Sequence, residues 1–128
     1  SLGTISALHF ASQSGAKRLG GIVLVSGFAG RIPGLSTLDG FDVDAYADRA
    51  KVDAATIHAM SPVLRHVSST NDYAVPPAVS EQLAQRLGGT VHRVPDAGHF
   101  LDREGFTELP VVLQAVEDVV QGAGVAGR

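Results

Sequence analysis

The chain has 128 residues with 10 basic and 13 acidic side chains, a formal net charge of −3, and no cysteine. This excludes a disulfide scaffold, a thiolate metal site and a thiol nucleophile, and it offers no clustered Lys and Arg for nucleic acid. With 45% hydrophobic and 18% charged residues, and no apolar run near the ~20 residues a membrane span needs, the composition suggests a folded cytoplasmic domain.

Taken in chain order, residues 2–14 read as a short helix, Ala-rich and apolar all round, stopped by Gly15. A helix without a polar face is expected to lie buried against a sheet. Gly21-Ile22-Val23-Leu24-Val25-Ser26 is a continuous apolar, β-branched run, the mark of a central parallel strand covered on both faces. Residues 27–60 carry frequent Gly, Pro and Asp, and read as a lid-like insert with short helices around Val43–Lys51 and Ala54–Met60. Val63–Val67 form a short strand, followed by the polar loop Ser68–Asp72. Pro76-Pro77 pre-sets a helix start, and Val79, Leu83 and Leu87 fall at i, i+4 and i+8 before Gly88-Gly89 ends the helix. Thr90–Val94 form another strand, and residues 95–100 a loop. Leu109, Val112, Leu113, Val116, Val119 and Val120 make one helical stripe, with Thr107 as N-cap and a tail fraying from Gly122. This alternation predicts an α/β fold with parallel strands and helical crossovers. Three strands are few for so many apolar helices, so further strands are expected.

Polar residues at the carboxyl ends of strands are the candidates for chemistry, because open α/β sheets build their sites there. Ser1-Leu2-Gly3 before a helix is the second half of a G-x-S-x-G nucleophile elbow. Asp72 stands in S-S-T-N-D-Y-A-V-P after one strand; alone, it would be a solvated turn residue capping the next helix. His99 stands in V-P-D-A-G-H-F after the next strand, where Gly98 permits a tight loop. Ser, acid, His is the order used by α/β-hydrolases. Asp96 and Asp102 bracket His99 as alternative acids, too close in sequence to turn toward its ring. His9, His58, His66 and His92 share no ligand spacing, so neither a metal nor a cofactor is expected. Asp39, Asp42, Asp44, Asp48 and Asp53 read as a solvated acidic face, and Phe28, Leu35, Phe41, Tyr46 and Met60 as pocket walls or core.

Through S-L-G, G-I-V-L-V-S, S-T-N-D-Y-A-V-P and V-H-R-V-P-D-A-G-H-F, the chain resembles the α/β-hydrolase superfamily. Within it, the resemblance is to the small serine hydrolases related to YdeN and retinoblastoma-binding protein 9, and it runs from Ser1 to about Val120. It implies a nucleophile at Ser1, an acid at Asp72, a base at His99 and an oxyanion donor in the Leu2 N–H. It further implies that 1–128 is the carboxyl-terminal part of a single domain acting on small esters or amides. Strands before the nucleophile and a second oxyanion donor would then lie outside the sequence. On that expectation the chain alone is inert and self-associates through an exposed sheet edge; neither nucleic acid nor membrane is expected as a partner. Two other readings stand beside it: a non-catalytic binding module or pseudoenzyme, and an N-terminal-nucleophile hydrolase with Ser1 activated by its own amino group.

Overall fold

The computed structural model describes residues 1–15 and 18–126. Helix α1 (Leu2–Gln13) leads to strand β1 (Ile22–Val25), then to a two-stranded hairpin, β2 (Thr37–Leu38) and β3 (Phe41–Asp42). Helices α2 (Val43–Arg49) and α3 (Ala54–Met60) follow, then β4 (Leu64–Ser69), α4 (Pro77–Leu87), β5 (Thr90–Val94), a 3-10 turn at Asp102–Glu104 and α5 (Pro110–Ala126).

Strand β4 is the middle of a three-stranded sheet, β1-β4-β5. Both pairings are parallel, with Val25 opposite Val67 on one side and Ser69 opposite Val94 on the other. Ile22–Val25 therefore pairs on one side only, with β4, among the described residues. The β-branched character of the run still fits, because both faces are covered. On one face Val23, Val25 and Val67 meet Ala115, Phe100 and Phe106; on the other Leu24 and Leu64 pack with Leu8, Ile57, Leu83 and Leu87. Helix α5 thus covers one side and α1, α3 and α4 the other. The insert folds over the second side, where Ile5, Phe28, Ile32, Val43 and Val75 form their own buried cluster.

Several elements differ from the sequence reading for identifiable reasons. Ser68 and Ser69 continue β4 because each pairs with a residue of β5, Arg93 and Val94. Pairing outweighs the turn preference of serine. The hairpin turn is Asp39-Gly40 with φ of 49° and 83°, the two positive values a type I′ turn requires. Helix α5 begins at Pro110 rather than beyond a Thr107 cap, as suits a residue with no N–H to donate. It continues past Gly122, which seats against Val63, to Ala126; residues 127 and 128 of the expected frayed tail lie outside the described residues. Its buried face is Ala115 and Val119, whereas Leu113, Val116 and Val120 of the same stripe are exposed. Helix α1 likewise buries only Thr4, Ile5 and Leu8, leaving Phe10 exposed.

The acidic stretch has local work that composition hides. Asp42 accepts the Ala45 N–H and caps α2, Asp53 accepts the Thr56 N–H and caps α3, and Asp44 and Asp48 pair with Arg31. Exposed pairs of this kind add little stability. Caps contribute ~1 kcal/mol each.

Two tests follow from the packing. Gly89 has φ of 97°, and a Cβ there would lie 2.5 Å from the Leu64 carbonyl oxygen, which belongs to the central strand. Left-handed strain and overpacking together should make Gly89→Ala about 3 kcal/mol less stable, lowering the thermal midpoint by roughly 10 °C. His66 is buried on β4, with its Nε2 against the Gly88 carbonyl at 2.9 Å. Burial pushes its imidazole below the ordinary value of 6.5, the Gly88 contact opposing. The unfolded chain therefore takes up a proton near pH 6.5 before the folded one does. Stability is full above that pH and is lost as pH falls toward the lowered folded value. In thermal melts between pH 7 and 5, His66→Gln is expected to flatten this fall relative to the unaltered chain.

Candidate active site

Asp72 lies in the loop after β4 and His99 in the loop after β5, so parallel pairing brings both to the same edge of the sheet. The His99 Nδ1–H donates to Asp72 Oδ2 at 2.9 Å and reaches Oδ1 at 3.1 Å. The Asp72 side chain is 1% exposed and that of His99 13%. With Nδ1–H as the donor to the carboxyl group, Nε2 is left as the ring's acceptor nitrogen. Asp72 is held in turn by its own loop, since Oδ1 accepts the Ala74 and Val75 N–H groups at 2.9 Å.

The two loops are also laced to each other. Ser69 Oγ accepts the Ala97 N–H, Thr70 Oγ1 the Asp96 N–H and Asn71 Oδ1 the Gly98 N–H, at 2.8–3.0 Å. Asp96, Gly98 and Phe100 all have positive φ, of 50°, 58° and 57°. For a residue as bulky as Phe100 this backbone is strained. Packing holds it there, with Phe100 buried and edge-on to Phe106 at 5.5 Å. Glu104 completes the turn: its Oε2 accepts the His99 and Leu101 N–H groups, both at 2.9 Å. The Leu101 N–H, with lesser help from Tyr73 and the His99 N–H, holds the Glu104 carboxyl below its ordinary range. A Cβ on Gly98 would strike that carboxylate. Tyr73 stands beside the imidazole, ring centres 6.4 Å apart, and its hydroxyl accepts from Arg103.

Ser1 heads α1, and its amino group donates to the Val25 carbonyl at 3.1 Å, tying the start of the helix to the end of β1. Burial pushes that amino group below its ordinary value, against the pull of the Asp72 charge. Ser1 Oγ makes no hydrogen bond to His99 among the described residues. Leu2 is the first residue of α1, so its N–H is one of the donors a helix start leaves without an internal acceptor. Ser1 stands at the head of a helix, unlike the strand-leading residue an N-terminal nucleophile would be.

The alternative acids take no part in the pair. The exposed Asp96 meets its neighbours through its N–H, and Asp102 accepts from the Arg103 N–H. His9 accepts the Lys51 N–H and His58 lies against the Leu87 carbonyl. Of the expected pocket walls, Phe28 and Met60 are buried in the core and Phe41 is 44% exposed. Tyr46 lines a cavity of about 230 Å³ between α1 and α2, with Ile5, Ser6, His9, Arg49 and Ala50. The sequence reading missed Ser26, whose hydroxyl donates to Asp72 46 residues downstream, and Glu104, whose partners are main-chain N–H groups that no residue type announces.

The chain is 40% identical over 96 residues to the protein named "Putative hydrolase YdeN" from Bacillus subtilis (strain 168), covering 75% of this chain and 47% of that one. The crystal structure of the ydeN gene product from B. subtilis superposes with a TM-score of 0.83 at 33% identity, over 94% of this chain and 62% of the other. The chain thus spans about half the length of the curated relative it matches. The fold is of the α/β-hydrolase type, a parallel sheet with flanking helices. No helix among the described residues is long and apolar enough to cross a membrane. A family model described as "Serine hydrolase" matches residues 1–118, and on that match the chain belongs to the serine hydrolase family.

Proposed function

We propose that Ser1, Asp72 and His99 form a catalytic triad that hydrolyses small carboxylic esters or amides. The observation that carries this reading is the His99 Nδ1–Asp72 hydrogen bond at 2.9 Å, buried at the carboxyl edge of the sheet. In this reading His99 Nε2 takes the proton from Ser1 Oγ as the oxygen attacks the acyl carbon. Asp72 keeps the imidazole in the right tautomer and stabilises its cation. The Leu2 N–H donates to the developing oxyanion, and His99 then returns the proton to the leaving group. One such donor is worth ~10²–10³ in rate.

The same reading takes residues 1–128 as the carboxyl-terminal part of one domain, with the second oxyanion donor outside it. The 47% coverage of YdeN supports it. Low intrinsic turnover and self-association along the free edge of β1 belong to this proposal, and a cytoplasmic location rests on composition alone. A non-catalytic binding module is the second reading, favoured by the lack of a hydrogen bond between Ser1 Oγ and His99 among the described residues.

The test is fluorophosphonate labelling together with p-nitrophenyl acetate turnover. Both are measured on the chain and on a version extended by the part of YdeN that it does not match. Labelling is expected at Ser1 in the extended protein. Turnover should fall ~10⁶-fold in Ser1→Ala or His99→Ala and ~10⁴-fold in Asp72→Asn. Labelling at another serine, or turnover that survives Ser1→Ala, overturns the triad; no labelling of either form supports the binding module.

A further inference from the structure

The Asp72 carboxyl group has a further partner that neither the triad nor its own loop accounts for. Ser26, the residue after β1, donates its hydroxyl to Asp72 Oδ2 at 2.9 Å, the same oxygen that receives the His99 Nδ1–H. Ser26 is 3% exposed, and its φ is 47°, a left-handed conformation that serine seldom adopts. Backbone strain of this kind persists only where the surroundings enforce it. They do so here on both sides of the residue: the Ser26 N–H donates to the Val67 carbonyl at 2.9 Å, extending the β1-β4 ladder. The next carbonyl, that of Gly27, accepts the buried Ser80 hydroxyl of α4, also at 2.9 Å. A Cβ on Gly27 would press against Leu83 and Thr4 at 3.2 Å. The turn therefore has little room to relax, and the Ser26 hydroxyl is delivered to one place.

We infer that Ser26 is a positioning residue, whose hydroxyl fixes the rotation of the Asp72 carboxyl group and through it the aim of the His99 ring. Without that donor, Oδ1 remains anchored by the Ala74 and Val75 N–H groups, while Oδ2 keeps only the histidine. The carboxyl group then gains freedom about the bond that sets the imidazole's direction. Small misalignments of a base weigh on rate more than on binding. The inference rests on the triad proposed above, and it deepens that proposal by naming what holds its acid.

Two variants separate the hydroxyl from the backbone. Ser26→Ala removes the donor but keeps the strained φ, whereas Ser26→Gly removes the donor and relieves the strain, so the glycine variant folds even where alanine does not. Two readouts are taken: exchange of the His99 Nδ1–H with solvent, by proton NMR of the chain, and p-nitrophenyl acetate kinetics of the extended protein. Both variants are expected to exchange this proton about tenfold faster. They should also lose about tenfold in kcat with KM within twofold, the weight of one hydrogen bond to a charged group. Unchanged exchange in Ser26→Gly, or unchanged kcat beside a Ser1-dependent wild-type activity, overturns the positioning role. Faster exchange in a protein whose turnover does not depend on Ser1 upholds the hold of Ser26 on the pair and refutes the triad instead.

Discussion

The parallel pairing of Leu64–Ser69 with a strand on each side is the constraint from which the site follows. It sets Val25 level with Val67 and Ser69 level with Val94. The residues just beyond those points are Ser26, the Ser69–Asp72 loop and the His99 loop. Strand β4 is buried on both faces, with Leu64 and His66 toward α4 and Val67 toward α5. A slip of one residue would exchange those faces, which makes the register expensive to change. The geometry at the carboxyl edge is therefore decided by apolar packing well below it.

Placing a carboxyl group in so dry a position is costly unless its oxygens are occupied. Asp72 meets this with two N–H groups of its own loop, the Ser26 hydroxyl and the His99 ring. Three of the four donors come from residues that lie within three positions of Asp72 or at the end of the neighbouring strand. The histidine alone among them comes from the loop after β5. That loop is stiffened by Glu104 on its far side and by Ser69, Thr70 and Asn71 on its near side. The result is an imidazole whose approach to the Asp72 carboxyl group is fixed by contacts to the main chain of its loop rather than by the ring itself.

Much of this was legible in the sequence, where the signal was local. The apolar run Ile22–Val25, the strand Thr90–Val94 between Gly88-Gly89 and Pro95, and the Pro-led helix before it are all short-range patterns. The hairpin escaped because each of its strands has only two residues, although Asp39-Gly40 is the dipeptide its turn favours. Ser68 and Ser69 read as loop because their strand character comes from β5, more than 20 residues away. Ser26 could not be singled out for a similar reason. Its partner is 46 residues downstream, and nothing in G-I-V-L-V-S distinguishes a serine that ends a strand from one that supports an acid. The stripe on α5 was visible, but periodicity cannot say which part of a wide apolar face meets the sheet.

The lacing between the two loops is directional. Asp96, Ala97 and Gly98 contribute only their main-chain N–H groups, whereas Thr70, Ser69 and Asn71 contribute side-chain oxygens. Any residue but proline supplies a main-chain N–H, while a side-chain acceptor of given reach comes from very few residue types. Neutral drift in a lineage built on this arrangement is therefore lopsided. Position 96 is free to wander among residues that accept its turn, since its exposed side chain makes no hydrogen bond among the described residues. Positions 69 to 71 are pinned by a loop some 27 residues away.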